Sequence, residues 1–229
     1  MDYNSNQPEF YYGLGKEIVP EGIFERFPEL IPAVGDHYWR EDNKHKKMLL
    51  VGESNYFGDY PETVSVFKDA DKWYTADTDK LIPEEMKTAV GNWIDYRTFN
   101  KVFGIMDRVL SEAGIEHEEK LAEIAFYNYF LRPAFNDGKN KGFRPQSIDR
   151  EISGIALSGI IDKIKPDLII FLSKKAYVEF TAYCARKGKE YAGITIAHVA
   201  HPSSAWWNRY GGSLGKKKFE DLIKANWIK

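Results

Sequence analysis

The chain has 229 residues, and its 32 Lys+Arg against 34 Asp+Glu give a formal net charge of -2, which excludes a uniformly basic wrapper of nucleic acid and a highly charged disordered chain. Hydrophobic residues at 43% and charged residues at 29% are ordinary globular usage, in a chain long enough to bury one sizeable core. Aromatic residues reach 15%, which suits either stacking on flat ligands or a densely packed interior.

In chain order, residues 1–46 mix Pro, Gly, charge and aromatics and read as an extension packed on the domain formed by 47–229. No basic, apolar and small-residue leader is legible at Met1, and no apolar run approaches the roughly 18 residues that span a bilayer. Met48-Leu49-Leu50-Val51-Gly52 is a short apolar run ending in Gly, the pattern of a strand buried on both faces. Residues 55–96 are polar, aromatic and weakly periodic, and read as an insertion covering a site. Three further apolar runs at 123–130, 167–173 and 194–200 predict strands, and helix-period segments at 97–113, 149–164, 175–186 and 216–226 predict helices. Gly114 and Gly188 follow two of those helices as left-handed caps, and Pro166 stops a third. Parallel strands need long crossovers, so the alternation implies an α/β fold: three layers, α/β/α, around a central, mainly parallel four-stranded sheet. The single Cys184 excludes an internal disulfide and makes a reducing, cytoplasmic setting the expectation.

Ligands of open α/β sheets bind beyond the carboxyl ends of the strands. There the chain carries Gly52-Glu53-Ser54-Asn55-Tyr56-Phe57, then Asn128 with Arg132-Pro133 after it, then His198 and His201-Pro202-Ser203. In this order the clusters resemble the uracil-DNA glycosylase superfamily, whose core strands lead in turn to a Gly-containing motif, an Asn and a His-Pro-Ser motif. Arg132-Pro133, Arg144-Pro145, Arg150-Glu151-Ile152 and Lys165-Pro166-Asp167 are similar to its iron-sulfur branch. The resemblance spans roughly residue 47 onward and leaves 1–46 and 55–96 unmatched. The chain departs from that pattern twice. One cysteine cannot hold a four-cysteine cluster, and Ser54 stands where the best-known branch has a water-orienting Asp, with Glu53 beside it.

The resemblance implies an enzyme that hydrolyses the N-glycosidic bond of uracil or another deaminated base in DNA, as a monomer without cofactor or metal. His201 would stabilise the departing base anion, a role worth about 3 kcal/mol for one oxyanion donor, with Glu53 or Ser54 as further catalytic candidates. Asn128 would read the base through one donor and one acceptor matching O4 and N3–H of uracil. Gly52 would allow close approach, and Tyr56 or Phe57 would stack on the base or exclude a 5-methyl group. After the His-Pro-Ser motif, Ser203, Trp206, Trp207, Arg209 and Lys216 would contact DNA, with the aromatics inserted between bases and the cations on phosphates. Each Trp equally suits packing against the last helix. His37, His45, His117 and His198 lack partners at metal-ligand spacing and read as structural. Two other functions fit the same fold: a catalytically degenerate binder of bases, nucleotides or single strands, motivated by Ser54, and a hydrolase of free nucleosides.

Overall fold

Apolar runs too short for a helix pair as strands. The computed structural model describes residues 5–57, 68–75, 97–116, 122–135, 143–209 and 215–229, with backbone only at Tyr56, Phe57, Arg97, Thr98 and Phe135. Its strands are β1 (Ala33–Val34), β2 (Met48–Phe57), β3 (Ile124–Phe135), β4 (Leu168–Phe171) and β5 (Thr195–His198). They form one sheet in the order β1-β3-β2-β4-β5. β3, β2, β4 and β5 run parallel to their neighbours, and β1 pairs antiparallel with β3 through Ala33–Phe126 and Val34–Ala125.

The four strands expected from apolar runs are present, but the sheet has five. The extra strand comes from the N-terminal extension. It is two residues long after Pro32, too short to leave any periodic signal. Helices α1 (Ile23–Arg26), α2 (Ala70–Thr75), α3 (Arg97–Glu112), α4 (Ser147–Ile164), α5 (Lys174–Lys187) and α6 (Lys216–Asn226) complete the elements named here. Gly114 and Gly188, at φ 64° and 60°, take the left-handed conformation expected past α3 and α5.

Alternate residues of each strand enter different apolar clusters, as the two-residue period of a strand requires. Leu49 and Val51 pack with Ile160 of α4, Phe180 of α5 and Tyr11, Phe24 and Leu30 of the extension. Met48 and Leu50 pack with Met106 and Leu110 of α3 and Phe219 and Ile223 of α6. Ile170 has no exposed area, and its truncation to Ala would cost about 2–5 kcal/mol. Within the expected 55–96 insertion, residues 55–57 instead continue β2, and α2 belongs to the first cluster, where Trp73 stacks on Phe27 at 4.4 Å. The rest of that insertion, 58–67 and 76–96, lies outside the described residues. Arg132 and Asp149, both buried, form a bidentate ion pair with Nε–Oδ1 at 2.9 Å and Nη2–Oδ2 at 2.6 Å, and Asp149 Oδ2 also accepts from the Gln146 N–H at the start of α4. Among the described residues no helix is long and apolar enough to cross a membrane.

The strand order positions the site. From β2 the chain first pairs β3 on one side and later β4 on the other, so the order reverses between β2 and β4. A crevice opens at the carboxyl ends where such a reversal occurs.

Candidate functional site

Glu53 follows Gly52 on β2 and is held at that reversal. Its Oε2 accepts from Ser173 Oγ at 2.5 Å and its Oε1 from Lys175 Nζ at 2.8 Å, while Lys175 also donates to the Phe143 carbonyl at 2.7 Å. Ser173 lies two residues past β4 and caps α5, its Oγ accepting the Ala176 N–H at 3.3 Å. A carboxylate at a helix N-terminus gains from the partial positive charge of the unpaired N–H groups. Ser54, the next residue, is half-buried and lies opposite Phe130 on β3. Strand alternation turns its side chain to the other face from Glu53.

Asn128 is the register partner of Gly52. Its carboxamide fills the space a side chain would take there, since a Cβ on Gly52 would collide with Asn128 Oδ1. Asn128 Nδ2 donates to Asn55 Oδ1 at 2.7 Å.

His201 lies just past β5 with its ring orientation set by its own turn. Nδ1 accepts the Ser203 N–H at 3.2 Å and lies 2.7 Å from Ser203 Oγ. An amide N–H only donates, so Nδ1 carries the lone pair and the neutral ring bears its proton on Nε2. Burial pushes His201 below the usual imidazole value, Glu53 pulls the other way and Lys101 adds to the lowering. The ring is therefore predominantly neutral at pH 7. Lys101 also reaches from α3 to donate to the Pro202 carbonyl at 3.0 Å. No sequence signal separated Lys101 from any other lysine of an amphipathic helix, and only the fold brings it to the His-Pro-Ser turn.

The two adjacent tryptophans separate. Trp206 is 53% exposed, with the Arg209 guanidinium 4.0 Å from its ring centroid. Trp207 is 2% exposed and packs in the core with Phe219 of α6, ring centroids 6.0 Å apart. The expectation that Trp207 contacts DNA is therefore corrected, because consecutive residues at this turn face solvent and core respectively. Lys216 and Ser203 are exposed. The side chains of Tyr56 and Phe57, and residues His117, Gly211 and Gly212, lie outside the described residues. His198 stacks on Tyr177 at 4.5 Å. The iron-sulfur cluster of the resembling branch does not fit, since half-buried Cys184 on α5 is the chain's one thiol.

At the opposite ends of the strands, Glu123 accepts from His37 Nδ1 and from His45 Nε2, both at 2.7 Å. His45 Nδ1 lies 3.1 Å from the Lys46 carbonyl. Glu123 and His45 are 4% and 3% exposed, and with Arg40, Lys44 and Glu116 they line a cleft of about 410 Å³. Among the described residues no group of three or more His, Cys, Asp or Glu is arranged to hold a metal ion.

No known protein-family model matches the chain, and no curated protein matches it.

Proposed function

We propose that the chain is a uracil-DNA glycosylase-like enzyme that hydrolyses the N-glycosidic bond of uracil or another deaminated base in DNA. The observation that carries the reading is His201: a neutral imidazole at the carboxyl end of the sheet, its Nδ1 satisfied by Ser203 N–H and its Nε2–H left as the donor. Asn128 lies across Gly52 and the Glu53 carboxylate is fixed at the same edge. A three-layer α/β/α arrangement accords with the helices of both apolar clusters.

Water adds its oxygen to C1′ of the deoxyribose, the C1′–N bond breaks with its pair leaving on the base, and a proton from that water ends on the released base. Charge develops in opposite senses on sugar and base. Nε2–H of His201 donates to the base oxygen where negative charge accumulates, and the Glu53 carboxylate favours positive charge on the sugar. A neutral imidazole can fill this role, because its one N–H remains a hydrogen-bond donor without charge on the ring. Trp206 and Arg209 offer a stacking face and a cation for the strand that is opened to extrude the base.

Ser54 in place of a water-orienting acid favours a second reading, a binder of bases or single strands without catalysis. Incubation with uracil, hypoxanthine and xanthine in single- and double-stranded DNA separates the two. Release of free base supports the enzyme, and tight binding without release supports the binder. Activity confined to free deoxyuridine would assign it instead to nucleoside hydrolysis.

A further inference from the structure

A carboxamide does not by itself tell uracil from cytosine. With Nδ2–H on O4 and Oδ1 receiving N3–H it reads uracil; rotated by half a turn it offers an acceptor to N4–H₂ and a donor to N3, and reads cytosine. Discrimination therefore belongs to whatever prevents the rotation. Around Asn128 two features do so. The gap at Gly52 receives Oδ1, and Asn55 Oδ1 accepts from Nδ2 at 2.7 Å.

Asn55 reaches Asn128 where the pairing of β2 with β3 is interrupted. In a regular strand, residue 55 would share the face of Glu53, away from Gly52 and its partner Asn128. The pairing with β3 jumps from Ser54–Phe130 to Tyr56–Ala134, two steps of β2 against four of β3, so Asn55 lies opposite a bulge in β3. A bulge disrupts the ladder locally and increases the twist, which releases Asn55 from strict strand alternation. The distortion places an acceptor against one end of the Asn128 carboxamide.

We infer that Asn55 is the specificity-positioning residue of the site, locking the Asn128 carboxamide in the orientation that reads a uracil-type edge; this rests on the glycosylase reading above. Asn55 itself touches Asn128 and not the base.

The test compares Asn55→Leu, of similar size but without an acceptor, with Asn55→Asp, which can only accept. The readout is the ratio of kcat/KM for uracil over cytosine in single-stranded DNA, together with the side-chain amide signal of ¹⁵N-labelled Asn128. Loss of one orienting hydrogen bond should lower the ratio for Asn55→Leu by roughly tenfold, with faster hydrogen exchange at the Asn128 amide. Asn55→Asp should keep or raise the ratio and keep the slow exchange. An unchanged ratio in Asn55→Leu, equal loss of activity on both bases, or a fall in Asn55→Asp matching that in Asn55→Leu would overturn the inference while leaving the glycosylase reading standing. A wild-type protein that releases neither base, yet keeps the slow-exchanging amide, would instead overturn the glycosylase reading and the base-reading role with it.

Discussion

The sheet carries His37 and His45 with Glu123 at its amino ends and His201 with Glu53 at its carboxyl ends, and the two groups differ in what their polar atoms have left to do. At the amino ends, Glu123 is buried and both its oxygens are taken by His37 and His45, while both ring nitrogens of His45 face acceptors. That cluster is closed: it joins the N-terminal extension to the starts of β2 and β3. At the carboxyl ends Glu53 also has both oxygens taken, by Ser173 and Lys175, so the difference lies in His201, which spends one nitrogen on its own turn and keeps the other for a ligand. Saturated partners make a structural site, whereas a ring with one nitrogen unspent just past β5 has what the proposed chemistry needs.

The largest effect that would break this contrast lies at the closed end. Glu123→Ala removes the acceptor of two hydrogen bonds inside a buried cluster, and each hydrogen bond lost to a charged group costs about 1.5–3 kcal/mol. Denaturant unfolding would measure it, with base release at saturating substrate unchanged below the melting transition. Burial raises the Glu123 carboxyl, but hydrogen bonds from His37 and His45 outweigh it, and the net value falls below the ordinary 4.5. A depressed carboxylate stabilises the fold above its unfolded pKa and loses that contribution as pH falls through the folded value. Glu123→Gln should therefore flatten the acid limb of stability. The open end answers differently: His201→Ala should cut base release by about a hundredfold, near 2.7 kcal/mol of transition-state stabilisation, with no change in thermal midpoint. An unaltered rate would remove His201 from the mechanism.

These two ends were not equally legible in sequence. The carboxyl-end residues announce themselves because each lies in or just past an apolar run, so Gly52, Asn128 and His201 were expected at one edge before any contact was known. Glu123 also adjoins an apolar run, yet His37 and His45 come to it across 86 and 78 residues, from a segment with no period to read. β1 escaped for the same reason. Asn55 was hidden by the break in register opposite the β3 bulge, since strand alternation assigns it to the other face, and Lys101 by its position in a helix rich in polar residues. Trp206 and Trp207 could not be told apart, because a turn has no periodicity to sort neighbours into inside and outside.

Trp206 sharpens the comparison at the next smaller scale, because only the carboxyl end should meet DNA. Stacking of a base on an aromatic ring is worth about 1–3 kcal/mol, and the flipped state of a duplex needs that support more than a single strand does. Trp206→Ala should reduce release from duplex by roughly tenfold more than release from single-stranded DNA, while leaving stability unaltered, as befits a side chain 53% exposed. Equal losses on both substrates would remove the stacking role.

The smallest effect concerns Lys101, which tests whether the neutrality of His201 is maintained by its surroundings. Its ammonium donates to the Pro202 carbonyl, and its charge disfavours the imidazolium, whereas Glu53 favours it. Lys101→Met keeps the aliphatic stem and removes the charge, so the His201 pKa rises and less of the ring is neutral on the acid side. Interactions of exposed charges are worth about 0.2–1 kcal/mol, so the change in rate should be a few-fold at most. Its signature is in the shape of the profile: the acid limb of kcat/KM against pH moves upward, while the plateau at higher pH, where His201 is neutral in both proteins, stays close to wild type. A uniform loss at every pH would mean that Lys101 only holds the turn through Pro202. The same measurement on Glu123→Gln should leave the limb where it is, since that carboxylate lies at the other end of the strands.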